Sequence, residues 1–219
     1  MSEYVVSPSP SVKCGERENR TIKSFKDDVL ASRVVYEAIY GEMAPTYDLD
    51  EKITDGRKLV DAHIAAYDKA IKVLREIWGF SVTIHTFSST GHKISDTYSG
   101  PFVSFRFIIR GGGKFRCGAD MKRSGKVPDM FDKSIYKEEG RSQLMRVWGA
   151  SKEGENRPMK YMLHGTLKTL QEVNDESPEK ASFLFENALA QNVGNEPLIE
   201  VDSESKVGVR EYTRNWCKW

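Results

Sequence analysis

Cysteine is scarce in this 219-residue chain: Cys14, Cys117 and Cys217 are widely separated and odd in number. No Cys-x-x-Cys pair occurs, so neither a zinc ribbon nor a disulfide framework is supported, and the thiols read as free in a reducing compartment. No zinc is expected. No apolar run approaches the ~18 residues of a membrane-spanning helix and no signal-peptide pattern opens the chain, which predicts a soluble intracellular protein without a membrane partner. Histidine is thin as well. His63, His85, His92 and His164 are dispersed, at no spacing that argues for a metal. The formal net charge is only +1, so bulk charge announces no nucleic-acid partner. Gly111-Gly112-Gly113 lacks a following Gly-Lys-Ser/Thr, which makes it a turn and not a phosphate loop.

What is present suffices for a core. The chain is 39% hydrophobic and has ten Phe, nine Tyr and four Trp, enough for one large domain or two small ones. Charge is uneven: residues 104–160 hold fourteen Lys/Arg against seven Asp/Glu, and the remainder compensates. Residues 1–20, with Ser-Pro-Ser-Pro, read as a flexible lead-in to a domain over 21–219. Apolar spacing predicts a helix over 24–39, broken by Gly41 and Pro45. A second helix, capped by Thr54 or Asp55, carries Val60, Ile64, Tyr67, Ile71, Leu74 and Trp78 on one stripe and ends at Gly79. Ser81–Phe87 alternates as a strand, 88–100 reads as loop, and Phe102–Arg110 is strongly written as a strand. Short extended pieces follow at 144–149 and 159–163. The part from 164 to 219 reads as mainly helical, over 166–173 and then 178–191, with Trp216 and Trp219 near its end.

Between the first helix and the second lies Tyr47-Asp48-Leu49-Asp50. On a strand Asp48 and Asp50 project from one face, ~6–7 Å apart, while Leu49 points into a core. Paired carboxylates suit hard divalent cations, which take oxygen donors. On the Phe102–Arg110 strand, Val103, Phe105, Phe107 and Ile109 share a core face, and Ser104, Arg106 and Ile108 share the other. A third grouping, Asp132 followed by Arg141, Arg146 and Lys152, adds another acid and three cations. Acids for divalent ions beside several cations are what phosphoryl or nucleotidyl transfer requires, because Arg and Lys neutralise phosphate charge that the metals do not cover.

These residues resemble the archaeo-eukaryotic primase superfamily, especially its primase-polymerase branch in viruses and mobile elements. The family's Asp-hydrophobe-Asp/Glu strand is matched by Asp48-Leu49-Asp50. Its Ser-x-His strand is matched by Ser104-Phe105-Arg106, with Arg106 where the family has His. Its Asp-x-x-Val/Ile-Tyr segment is matched by Asp132-Lys133-Ser134-Ile135-Tyr136, and its Arg then Ser-Lys by Arg146 and Ser151-Lys152. The likeness spans about 34–163. It implies an α+β fold: an RRM-like mixed or antiparallel sheet flanked by helices, with an extra N-terminal helical unit. It implies Mg²⁺ or Mn²⁺ in a two-metal site on Asp48, Asp50 and Asp132, with Asp129 the competitor for third ligand. Ser104, Arg106, Arg141, Arg146 and Lys152 would hold the nucleotide. The implied partners are a single-stranded or primed DNA template, an NTP or dNTP, and a replicative helicase in cis or in trans. The implied place is the site of DNA replication, in the nucleus, or in the cytoplasm if viral.

Rival readings separate on residues. A non-catalytic RRM-like module that binds single-stranded nucleic acid gains nothing from acids facing phosphate. A rolling-circle nicking domain needs paired His and a Tyr nucleophile, and only His85 sits on a strand. Glycosyltransferases with Asp-x-Asp need a larger half before the motif. Polymerase-β-like enzymes place Gly-Ser ahead of their acids, and none precedes Asp48.

Overall fold

The computed structural model describes residues 4–7, 18–20, 22–32, 35–39, 41–95, 97–137, 141–152 and 155–201. In chain order its elements are β1 (Tyr4–Ser7), β2 (Glu18–Arg20), α1 (Ile22–Ser32), β3 (Tyr36–Ile39), β4 (Thr46–Lys52), α2 (Leu59–Trp78), β5 (Thr83–Ser88), β6 (Gly91–Ser95), β7 (Tyr98–Arg110) and α3 (Gly118–Arg123). A 3₁₀ turn at Lys133–Ile135 precedes β8 (Gln143–Arg146), β9 (Lys160–Leu163), β10 (Thr166–Lys168), α4 (Leu170–Glu176) and α5 (Pro178–Asn187). The fold is α+β, with antiparallel sheets flanked by helices. The larger sheet runs β10-β9-β5-β7-β4, with β6 also on β7; the smaller runs β2-β1-β3-β8.

Strand β7 explains the larger sheet. It is thirteen residues long and pairs antiparallel with both β4 and β5. Those two strands are therefore parallel to each other, and parallel strands need a long crossover, which α2 supplies. The result is a split β-α-β unit with β7 in the middle. Helix α2 packs its Ala62, Ala66, Ala70 and Leu74 inward. Small residues at steps of four let the helix lie close over Phe105 and Phe107, both essentially fully buried. Val60 and Ile64, placed by spacing on the inner stripe, are 66% and 52% exposed. The alanine stripe one step round the helix took that face. The helix starts from Lys58 with no side-chain cap, since Asp55 is already bound to the Arg57 backbone and guanidinium.

Both faces of β7 are covered. One core joins Tyr47, Leu49, Phe105, Phe107, Leu74, Phe131 and Tyr136 on the α2 side. The other joins Phe25, Val29, Phe87, Ile108, Trp148, Tyr161 and Phe185 on the far side. Lys26 of α1 donates to Asn174 and Ser182, at 3.1 and 2.9 Å, tying α1 to α4 and α5.

Several expected boundaries move, each for a local reason. The first helix stops at Ser32, and Tyr36–Ile39 is a strand between β1 and β8; ladder partners on both sides outweigh a weak helical spacing. Residues 91–95, expected as loop, pair with 98–102 as a hairpin. Thr166–Lys168 is a strand because His164 and Gly165 take positive φ and turn the chain back on β9. The helix begins only at Leu170, where Thr169 and Glu172 form a capping box. Residues 1–3 and 8–17 of the expected lead-in and the tryptophans at 216 and 219 lie outside the described residues. No helix among the described residues is long and apolar enough to cross a membrane.

Candidate active site

The antiparallel register of β4 and β7 sets Asp48 opposite Arg106 and Asp50 opposite Ser104. Directly opposed residues share a face with Cβ atoms ~4.5–5.5 Å apart. Arg106 uses that proximity fully. Its Nε donates to Asp48 Oδ1 at 2.7 Å and its Nη2 to Oδ2 at 2.6 Å. Nη1 donates to the carbonyl of Arg146 on β8. Arg106 thus joins the two sheets, and it is 8% exposed. Burial opposes its charge, but Asp48, then Glu37 and Asp50, outweigh that and raise its pKa above the ordinary range. The polar face of β7 is covered like its apolar one, and every residue from Phe102 to Arg110 is buried.

Asp50 is the open acid. It is exposed at the end of the pair, yet its inner surroundings still desolvate the carboxyl and push its pKa up. The Ser104 hydroxyl bonded to it pulls the other way, and the Asp48 charge pushes up again. Asp132 arrives from a different direction. Strand β4 is an edge strand, and the segment ending in the 3₁₀ turn covers that edge: the Asp132 N–H donates to the Asp48 carbonyl at 2.8 Å. Phe131 beside it packs on Tyr47, and the Tyr136 hydroxyl donates to the Thr46 carbonyl at 2.7 Å. The Asp132 carboxylate caps its own turn, accepting from Ser134 N at 2.8 Å and Ser134 Oγ at 2.9 Å. Asp129, the competing acid, is fully exposed and paired with Lys133.

The cations come from β8 and the loop after it. Arg146 Nη2 donates to Ser89 Oγ at 3.0 Å, and Ser89 Oγ donates to Ser104 Oγ at 3.2 Å. Desolvation, then repulsion from Arg106, lowers the Arg146 pKa. Lys152 stands exposed at the rim; desolvation and then Arg146 lower its pKa, while Glu155 and Asp50 act in the opposite sense. Arg141 does not join them. It is exposed two residues ahead of β8 and makes no hydrogen bond or ion pair with the cluster.

Three contributors went unpredicted. Arg157 donates from Nη1 to the Ser89 carbonyl at 3.0 Å and pairs with Glu155 at 2.6 Å. Ser89, 3% exposed, is the hub between the Arg146 and Ser104 side chains. Glu37 on β3 is buried and accepts from Ala190 N and Gln191 N at 2.9 and 2.8 Å; burial raises its pKa despite those bonds and the charges of Arg110 and Arg106. The hydroxyl run Ser88-Ser89-Thr90 was a visible signal.

No protein-family model matches this chain, and no curated protein matches it.

The donor set is oxygen only, three carboxylates on or beside one strand, which fits a hard divalent cation. In this arrangement no three His, Cys, Asp or Glu side chains among the described residues are grouped to hold a metal ion. Two of the acids are turned to protein donors instead: Asp48 to Arg106, and Asp132 to Ser134.

Proposed function

We propose that this chain is a metal-dependent nucleotidyltransferase of the primase-polymerase kind, acting on single-stranded or primed DNA. The observation that carries the reading is the juxtaposition of Asp48 and Asp50 with Ser104 and Arg106 on one face of the larger sheet, with Arg146 of β8 and Lys152 beside them and Asp132 bonded to the same strand. The α+β fold, an antiparallel sheet flanked by helices, is compatible with that reading.

Asp48, Asp50 and Asp132 are the residues that would hold Mg²⁺ or Mn²⁺. Bound there, divalent ions supply charge neutralisation for an attacking hydroxyl and a leaving pyrophosphate. The protein's own part is positional. Arg146, hydrogen-bonded to Ser89, presents a planar fork suited to phosphate oxygens, and Lys152 adds a point charge at the rim. Asp50 faces solvent, where a substrate enters. The buried Ser89–Ser104 hydroxyl pair fixes the floor beneath it.

The test is synthesis on a single-stranded DNA template, with and without a primer, with NTPs or dNTPs and Mn²⁺ or Mg²⁺. Template-dependent products support the reading. The second reading is a non-catalytic module for single-stranded nucleic acid, and it draws on the engagement of Asp48 and Asp132 by protein donors. No product under any of these conditions, together with binding that weakens steeply with salt, favours that module.

A further inference from the structure

The pairing of Arg106 with Asp48 carries a consequence for metal binding. We propose that Arg106 is a resident counter-ion which competes with divalent cations for Asp48, so that the free protein binds such ions weakly. This rests on the nucleotidyl-transfer reading of the site.

The fork engages both oxygens of Asp48, at 2.7 and 2.6 Å. A guanidinium stays protonated at all working pH values, so it cannot release the carboxylate by losing a proton. It is also held from behind, through its third nitrogen on the Arg146 carbonyl and its burial at 8% exposure. Glu37 attracts it from the smaller sheet, Asp50 attracts it along the same face, and Arg146 repels it. A dication placed on Asp48 would share one carboxylate with this cation at close range, and like charges there cost affinity. Asp132 compounds the effect, since both its oxygens accept from Ser134. Of the three acids, only Asp48 carries a cationic fork.

Divalent binding read directly, without turnover, decides the matter. Mn²⁺ affinity is measured by electron paramagnetic resonance of the free ion in the wild-type protein, Arg106→Gln and Arg106→Gln/Asp48→Asn. Glutamine keeps a donor but removes the charge. Arg106→Gln is expected to bind Mn²⁺ about tenfold or more tightly than wild type, and the added Asp48→Asn to abolish the gain. Equal affinity in wild type and Arg106→Gln overturns the proposal. Should Arg106→Gln fail to fold, the wild type answers by itself. The Arg106 Nε–H resonance is expected to shift as Mg²⁺ is added, and a resonance that stays fixed while Mg²⁺ binds overturns the proposal. Absence of divalent binding in both proteins overturns the nucleotidyl-transfer reading and this inference with it.

Discussion

His85 lies on β5, 8% exposed, with Nδ1 2.7 Å from the Tyr161 hydroxyl and its ring stacked on the same tyrosine. Burial, helped by the Arg110 charge, pushes its pKa down to about 4. The folded state therefore holds His85 neutral where the unfolded chain, at ~6.5, would take a proton. Its stabilising contribution is complete above pH ~6.5 and is lost as pH falls toward 4, by up to about 3 kcal/mol. His85→Gln is expected to flatten that slope in denaturant titrations across pH 4–7; an unchanged slope would contradict it. Glu37, raised by burial, acts in the opposite sense above the ordinary carboxylate range. The difference between the two proteins isolates His85 from it. Arg106→Ala strips the half-buried Asp48 carboxylate of its bidentate cation and is expected to cost roughly 3 kcal/mol, read from urea midpoints. At this scale the acids were legible because strand alternation fixes which residues share a face. Ser89 and Arg157 were not, because their roles depend on a hairpin and a loop meeting far from each other in sequence. The Arg106–Asp48 fork was half legible: alternation put the arginine on the right face, but its partner comes from the register.

At the scale of elements, Gly149 is a tight junction between helices. It has φ 89°, and a Cβ there would lie 2.9 Å from Leu170 Cβ and 3.0 Å from Val29 Cγ1. The glycine lets the exit from β8 run between α1 and the start of α4. Gly149→Ala is expected to lose about 2–4 kcal/mol from left-handed strain and overpacking, and a melting temperature within error of wild type would refute this. Strands β4, β5 and β7 and helix α2 were readable because their alternation or periodicity is sustained over many residues. The failures were short. Tyr36–Ile39 and Thr166–Lys168 carry three or four residues each, and only their ladder partners make them strands. The α2 stripe was right at Tyr67, Ile71, Leu74 and Trp78, which face the core, and wrong at Val60 and Ile64, where Ala62 and Ala66 take the inner face.

At the scale of the whole molecule, one sheet is shared by two cores. Leu74 belongs to the core under α2 and Phe185 to the core behind the cation cluster, and both are completely buried. Leu74→Ala and Phe185→Ala are each expected to cost about 2–5 kcal/mol. Because β7 serves both cores, each variant should still unfold in a single transition. A biphasic melt in either would show that the cores are independent. The candidate site sits where this architecture brings β4, β7 and β8 together, so its acids and cations come from both sheets. Asp50 is its best probe, since it is solvent-open and its loss does not unpair Arg106. The decisive measurement is Mn²⁺-dependent incorporation of one labelled nucleotide onto a primed single-stranded DNA, by wild type and by Asp50→Asn. The account predicts incorporation matched to the template base by the wild type, and a fall of about a hundredfold or more in the folded variant. Equal incorporation by the two proteins would contradict it.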